Sequence, residues 1–280
     1  MSVAGAHDGG IGMGDEDRTA LSLTPQPVRV AVVGDVHLGA PLRQLDLAGS
    51  AARLREVAYA AAERLIATVS TARPDAVLLT GDLFDRGDGS DTALALAQRM
   101  VDEWCVGERP VVAIGGNHDA ESDLPGRLRL PRSAHWFAAE QPSTLELPAL
   151  GLAVHGVSVR ERDDVRRVFE AYPEPVAGAF NIAMLHSSLD LAFSKRVCLP
   201  VGLDELRGDE RYDAWALGHV HRRLVLHEKP LIAYPGGAHA QSENGSGARG
   251  FAMFEIGADR SARVTEVDVA LEVPAPRWGR

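Results

Sequence analysis

Cysteine is scarce in this 280-residue chain. Cys105 and Cys198 stand far apart and outside any metal-type spacing, which excludes a disulfide framework and a zinc ribbon and leaves both as small core residues. Long apolar runs are also missing. No stretch approaches membrane-spanning length, and the N-terminus offers Asp8, Asp15, Glu16 and Asp17 where a targeting segment would place basic and then apolar residues. The expected location is the cytoplasm, with no membrane partner. Basic charge is short as well: 29 Lys and Arg against 39 Asp and Glu leave a formal net charge of −10. That balance argues against a broad nucleic-acid coat, though not against nucleic acid met locally at a site. The 45% hydrophobic content is ordinary for a chain able to bury a sizeable core, and one domain is expected. Residues 1–26, rich in Gly, Ser, Thr and acids without apolar periodicity, read as a disordered tail ahead of a folded domain over 27–280.

What the chain does have is a series of short apolar runs, each ending in Gly and a polar cluster. Val28 to Val33 reads as a buried strand bounded by Pro27 and Gly34, so Asp35 and His37 fall at its carboxyl end, where ligands bind in open α/β sheets. An isolated Asp-x-His would be no more than a polar strand end. After an Ala-rich amphipathic helix expected over 45–71, Ala76 to Thr80 is a second strand, running into Gly81-Asp82-Leu83-Phe84-Asp85-Arg86. A helix over Thr92 to Trp104 leads to a third, Pro110 to Ile114, ending in Gly115-Gly116-Asn117-His118-Asp119. Thr144 to Val159 alternates like a strand or hairpin opening a second sheet, and Asp163 to Ala171 reads as a short helix. Phe180 to Leu185 then ends in His186, Tyr212 to Leu217 in Gly218-His219-Val220-His221, and Leu231 to Tyr234 in Pro235-Gly236. Gly250 to Val273 reads as a closing hairpin.

Five of the ten histidines, His37, His118, His186, His219 and His221, lie in these strand-end motifs. His7, His135, His155, His227 and His239 read as surface or satisfied core residues. A repeated coincidence of His, Asp and Asn with Gly at successive strand ends points to a metal site, because such sites are defined by ligand identity and count together. The mixed nitrogen and oxygen set suits manganese, iron or zinc better than calcium.

Asp-x-His, Gly-Asp-x-x-Asp, Gly-Asn-His-Asp, His and Gly-His-x-His follow in order from Asp35 through His221, and in this the chain resembles the calcineurin-like metallophosphoesterases. The resemblance implies an α/β fold, a four-layer αββα sandwich of two mixed sheets flanked by helices. It implies two divalent metal ions, one held by Asp35, His37, Asp82 and His221, the other by the bridging Asp82 with Asn117, His186 and His219. Such a pair polarises a phosphoryl oxygen and stabilises the charge of an in-line displacement. His118 is the implied catalytic histidine, free of metal. Asp119 is expected either to orient its ring or to cap a helix. Asp85 and Arg86 are expected to be ion pairs that fix a loop.

Gly34 to Gly39, Gly81 to Arg86, Trp215 to His221, Tyr234-Pro235-Gly236, and Glu243-Asn244-Gly245 through Phe251 further resemble the SbcD-type DNA-repair exonucleases. That likeness implies manganese-dependent cleavage of DNA phosphodiesters beside an SbcC-type ATPase partner. Against it, the sequence ends at Arg280, soon after the closing hairpin, where the family's capping domain and partner-binding segment would follow. Arg127, Arg129 and Arg132, Lys195 and Arg196, and Arg222 and Arg223 follow the motifs and are expected either to meet a phosphate backbone or to be ordinary solvated charge. The same chemistry on a small phosphodiester or phosphomonoester, such as a cyclic nucleotide or phosphoprotein, is the alternative activity. A non-catalytic scaffold is the third class, and the intact ligand set with His118 speaks against it.

Overall fold

A computed structural model describes residues 26–40, 51–86, 90–191, 193–194, 196–238 and 249–269. All but the last residue of the expected tail, together with His7, His239, Lys195 and Glu243 to Gly245, lie outside the described residues. Two six-stranded sheets carry the fold. The first places β1 (Val28–Val33), β2 (Ala76–Leu79), β3 (Val111–Ala113) and β4 (Ala134–Trp136) side by side in parallel, with β11 (Gly250–Ile256) and β12 (Ala262–Asp268) added antiparallel beyond β1. The second has the order β5 (Ser143–Leu147), β6 (Leu152–Gly156), β7 (Phe180–His186), β8 (Ala214–Gly218), β10 (Leu231–Pro235), β9 (Arg223–Glu228), parallel from β6 to β10 and antiparallel at both margins.

Strand periodicity explains the layers. In β1, Val30 and Val32 point into the interface between the sheets while Ala31 and Val33 point at the helices. Ala76 and Leu78 alternate in the same way with Val77 and Leu79, and Ala214 and Ala216 with Trp215 and Leu217. Strands buried on both faces have no polar side to show, which is why they read as continuous apolar runs. The outer face of the first sheet is covered by α1 (Ala51–Ala72) and α2 (Asp91–Trp104). Helix α2 buries Ala93, Leu96, Ala97, Met100, Val101 and Trp104 at helical spacing, and its first turn is capped by Ser90, whose side chain accepts from the Ala93 amide at 3.2 Å.

The two mixed sheets with helices outside are as expected, and the outer face of the second sheet carries less helix than that of the first. Its cover, around Trp215, Tyr172 and Tyr212, is mostly irregular chain with one short helix, α3 (Leu203–Arg207). No helix spans Asp163 to Ala171, where only Phe169–Ala171 makes a 3-10 turn. The buried Asp164 carboxylate instead accepts from the backbone amides of Arg160 at 2.9 Å and Arg166 at 3.2 Å and pairs with the Arg166 guanidinium, fixing a loop. Strands β4 and β9 were not foreseen in the sequence. No helix among the described residues is long and apolar enough to cross a membrane.

Candidate metal centre

The carboxyl ends of β1, β2 and β3 in one sheet and of β7 and β8 in the other meet at one edge of the sandwich. The chain beyond β1 stays laddered to the chain beyond β2, with the amides of Asp35, His37 and Leu38 donating to the carbonyls of Gly81, Asp82 and Leu83 at 3.0, 2.9 and 2.8 Å. Asp35, His37, Asp82 and His219 all have left-handed backbones, with φ of 51°, 47°, 53° and 92°. Such conformations cost on the order of 1–3 kcal/mol each and persist where surrounding structure enforces them. Here the enforcement is tight packing: a Cβ on Gly116 would lie 2.2 Å from Asp82 Oδ1, and one on Gly218 would lie 1.9 Å from the Thr80 carbonyl oxygen.

All seven expected ligands converge. Nε2 of His37 lies 3.1 Å from Nε2 of His221 and 3.5 Å from Asp82 Oδ2, while His221 Nε2 lies 3.6 Å from Asp35 Oδ1. On the other side of Asp82, His186 Nε2 lies 3.4 Å from Asp82 Oδ2 and 3.2 Å from Asn117 Oδ1, and His219 Nδ1 lies 2.9 Å from the same amide oxygen. Potential ligand atoms of Asp35, His37 and His221 lie within 4.8 Å of one another, as do those of Asp35, Asp82 and His186. Asp82 thus stands between two groups of donors. The residues suit a cation on the structure's own terms: Asp35 Oδ2 and His37 Nδ1 are buried without a hydrogen-bond partner, an expensive arrangement that a bound cation would relieve at the carboxylate.

Charge tells the same story. Burial works against a proton on His37, yet Asp82, Asp85 and Asp35 outweigh it and lift the ring above its ordinary pKa. Burial likewise opposes protonated His186, but Asp82 and Asp35 push it up to about 9. Asp82 is held well below the usual carboxylate range by His186 and His37, despite its burial. His219 is pushed down to about 3 by burial and by His186, and His221 is lowered chiefly by burial. The carboxylates thus favour a proton on His186, and to some degree on His37, where a metal would otherwise be held, since imidazole binds metal only when deprotonated. Thr80 supports that exchange: its carbonyl oxygen, 2.8 Å from His186 Nδ1, keeps a proton there and leaves Nε2 facing the centre.

The surroundings of His118 and Asp119 differ from expectation. Asp119 neither orients His118 nor caps a helix. Its buried carboxylate accepts from the amides of Leu83 at 3.1 Å, Phe84 at 2.9 Å and Gly116 at 2.9 Å, tying the loops after β2 and β3 together. Burial, with the nearby Asp82, pushes it up to about 6 against those three donors. The partner of His118 is Asp85, whose Oδ1 lies 2.7 Å from Nδ1. Although burial favours its neutral form, the hydrogen bond from the His118 ring and the nearby His37 ring hold Asp85 below the usual carboxylate range. His118 also comes within 4.8 Å of His37 and Asp82 and lines the mouth of the centre.

That mouth is a cavity of about 370 Å³ lined also by Phe193, Ser194, Arg196, Val220 and Arg222. Of the basic residues singled out in the sequence, Arg196 and Arg222 reach it. Arg223 does not: its side chain is 6% exposed and pairs with Glu266 at 3.0 Å and Asp268 at 2.8 Å. Arg127 pairs with Asp91. Of the histidines set aside, His155 is buried against Thr144 and Asn181 and His227 bonds the Pro230 carbonyl. Cys198 approaches His186 and His219, but burial pushes its pKa well up and the thiol donates to the His186 carbonyl at 3.3 Å, as suits a core residue.

Comparison with known proteins places this geometry. An uncharacterized metallophosphoesterase, YhaO of Bacillus subtilis (strain 168), is 27% identical over 228 residues, covering 79% of this chain and 56% of that protein. The DNA double-strand break repair protein Mre11 of Methanopyrus kandleri is 28% identical over 290 residues, covering 90% and 60%. Mre11 of Aeropyrum pernix is 28% identical over 227 residues, covering 74% and 53%. The chain thus spans little more than half the length of these relatives. In fold it is similar to a dimetal phosphatase from Danio rerio, with a TM-score of 0.55 at 13% identity over 88% of this chain and 100% of that one. The family model for calcineurin-like phosphoesterases matches residues 28–223. Since that match runs from β1 through the loop bearing His221 and takes in every strand end described above, the chain belongs to the calcineurin-like phosphoesterases, hydrolases of phosphoester bonds.

Proposed function

We propose that this chain is a nuclease of the SbcD type, hydrolysing DNA phosphodiesters with two divalent cations, manganese in the first instance. Asp35, His37, Asp82 and His221 would hold one cation, and Asp82, Asn117, His186 and His219 the other. When bound, the pair supplies Lewis-acid polarisation of the phosphoryl group and stabilises the charge that develops there. The observation that carries the reading is the convergence of all seven side chains on one centre beneath a mouth bearing Arg196 and Arg222. The DNA substrate is favoured by the two relatives named as DNA double-strand break repair proteins.

The chain's own groups divide the remaining work. Asp85 accepts from Nδ1–H of His118, so a doubly protonated His118 would give its other proton, on Nε2, to the leaving oxygen. Asp119 holds the loops that carry Asp82 and Asn117. Arg196, 40% exposed and paired with the exposed Asp163 at 3.0 Å, and the exposed Arg222 line the mouth and can take the flanking phosphates. A cavity of about 370 Å³ would also admit a small phosphodiester, and this is the second reading.

Cleavage of labelled single- and double-stranded DNA with added manganese, beside a chromogenic phosphodiester and a phosphomonoester, separates the two. DNA should be cut, and Arg196→Glu with Arg222→Glu should weaken DNA cleavage and flatten its salt dependence while sparing the small diester. Equal loss on both substrates, or no loss on either, moves the function to the small phosphoester.

A further inference from the structure

His219 is the one expected ligand with both ring nitrogens engaged by other side chains: Nδ1 lies 2.9 Å from Asn117 Oδ1 and Nε2 lies 2.9 Å from the hydroxyl of Ser194. The contrast with His186 is chemical. The Thr80 carbonyl that faces His186 can only accept, so it dictates one tautomer, whereas a serine hydroxyl can donate or accept and so serves either. With no cation present, Nδ1–H donates to the Asn117 amide oxygen and the Ser194 hydroxyl donates to Nε2. For a cation to sit with Asn117 and His186, Nδ1 must offer its lone pair and the proton must reside on Nε2. One proton then leaves Nδ1 for solvent, one is taken up from solvent at Nε2, and the hydroxyl hydrogen turns away so that Ser194 Oγ accepts. No net charge changes on the ring.

We propose that Ser194 is a positioning residue for His219, accepting from Nε2–H in the tautomer that frees Nδ1 for the second cation and tying that cation to the loop that lines the mouth. The proposal rests on the two-cation reading above. The loop is built to deliver the hydroxyl. Its neck is closed by Ser188 and Cys198, whose amides donate to Cys198 O at 3.0 Å and Ser188 Oγ at 3.2 Å respectively. Immediately after the neck, Leu189, Asp190 and Leu191 are successively left-handed, with φ of 46°, 52° and 66°, a costly turn for residues with side chains. The same segment sets Phe193 and Arg196 in the mouth. Ser194 thereby joins a substrate-facing loop to a ring that sequence spacing would never pair with it.

The test uses the full chain labelled with 15N at histidine, titrated with Zn2+ as a diamagnetic probe, in wild type, Ser194→Ala and Ser194→Thr. In the loaded wild type and in Ser194→Thr, two-bond 1H–15N spectra should show His219 protonated at Nε2. Ser194→Ala should bind the second Zn2+ about 10- to 100-fold more weakly, the range set by loss of an outer hydrogen-bond partner, with the first unchanged. Wild-type uptake of two Zn2+ with equal binding by Ser194→Ala overturns the role of Ser194 alone. Uptake of a single Zn2+ by wild type overturns the two-cation reading and this proposal with it. Should Ser194→Ala not fold, the loaded wild type still decides, because His219 unprotonated at Nε2 refutes the proposal.

Discussion

Replacing Asp85 by Asn tests whether His118, the proposed general acid, takes its orientation from the loop after β2. The carboxylate lies 2.7 Å from His118 Nδ1 and is held ionised by the rings around it. An amide of the same shape removes the charge and offers an NH2 group that can present the wrong partner to Nδ1. Loss of a charge-assisted hydrogen bond costs about 1.5–3 kcal/mol. At about 1.4 kcal/mol per factor of ten, that predicts a fall in turnover of roughly 10- to 150-fold. The ceiling is the whole contribution of a general acid, about 10² to 10⁴. The loss should be large on DNA, whose leaving alkoxide needs a proton, and small on a p-nitrophenyl diester, whose leaving group does not. Steady-state kinetics at saturating manganese, with cation content measured on the same samples, reads both. Asp119→Asn is the control: a carboxylate serving three backbone amides is replaced by a group with one acceptor oxygen, so the midpoint of thermal unfolding should drop while His118 keeps its partner. Unchanged turnover in Asp85→Asn, or a leaving-group-dependent loss in Asp119→Asn at full cation content, refutes the assignment.

Arg223→Ala should lower stability by about 2 kcal/mol, seen in urea unfolding, with KM for DNA unchanged. Its exposed partners Glu266 and Asp268 contribute little, and the bond to the Val267 carbonyl carries the loss. Phe193→Ala should raise KM about 5- to 100-fold for an oligonucleotide, a base-stacking loss, and leave a substrate with abasic positions beside the cut unaffected. A similar rise on both would show that the ring stacks on no base. Because Asp82 and Asp35 hold a proton on His186 up to about pH 9 in the cation-free protein, despite its burial, apparent cation affinity should rise with pH up to that value. Calorimetric titrations at pH 6, 7 and 8 that give one affinity would contradict it.

Much of the centre was legible in the sequence because strand ends there are short, glycine-marked and buried, so motif order along the chain is also motif order along the edge. The partners of His118 were not. Adjacency suggested Asp119, but in the turn after His118 neighbouring side chains diverge, and Asp85 arrives from another strand. Ser194 was invisible for the same reason, being 25 residues from His219. The expected helix after Asp163 failed because a buried Asp that caps its own loop outcompetes apolar spacing. β4 escaped notice because three residues including a His carry too little alternation to register.

The two groups of donors around Asp82 have a consequence for folding. Each draws on both sheets: Asp35, His37 and Asp82 are completed by His221, and Asp82 and Asn117 by His186 and His219. Any cation bound there is a cross-brace between two layers whose shared interface is mainly apolar side chains. Free cation concentration then becomes a folding variable, contributing about 2.7 kcal/mol at one hundred times the dissociation constant and vanishing below it. Metal starvation should therefore lower the amount of intact protein as well as its rate, and protease resistance should track the supply of manganese even for a variant of much reduced turnover, such as His118→Leu.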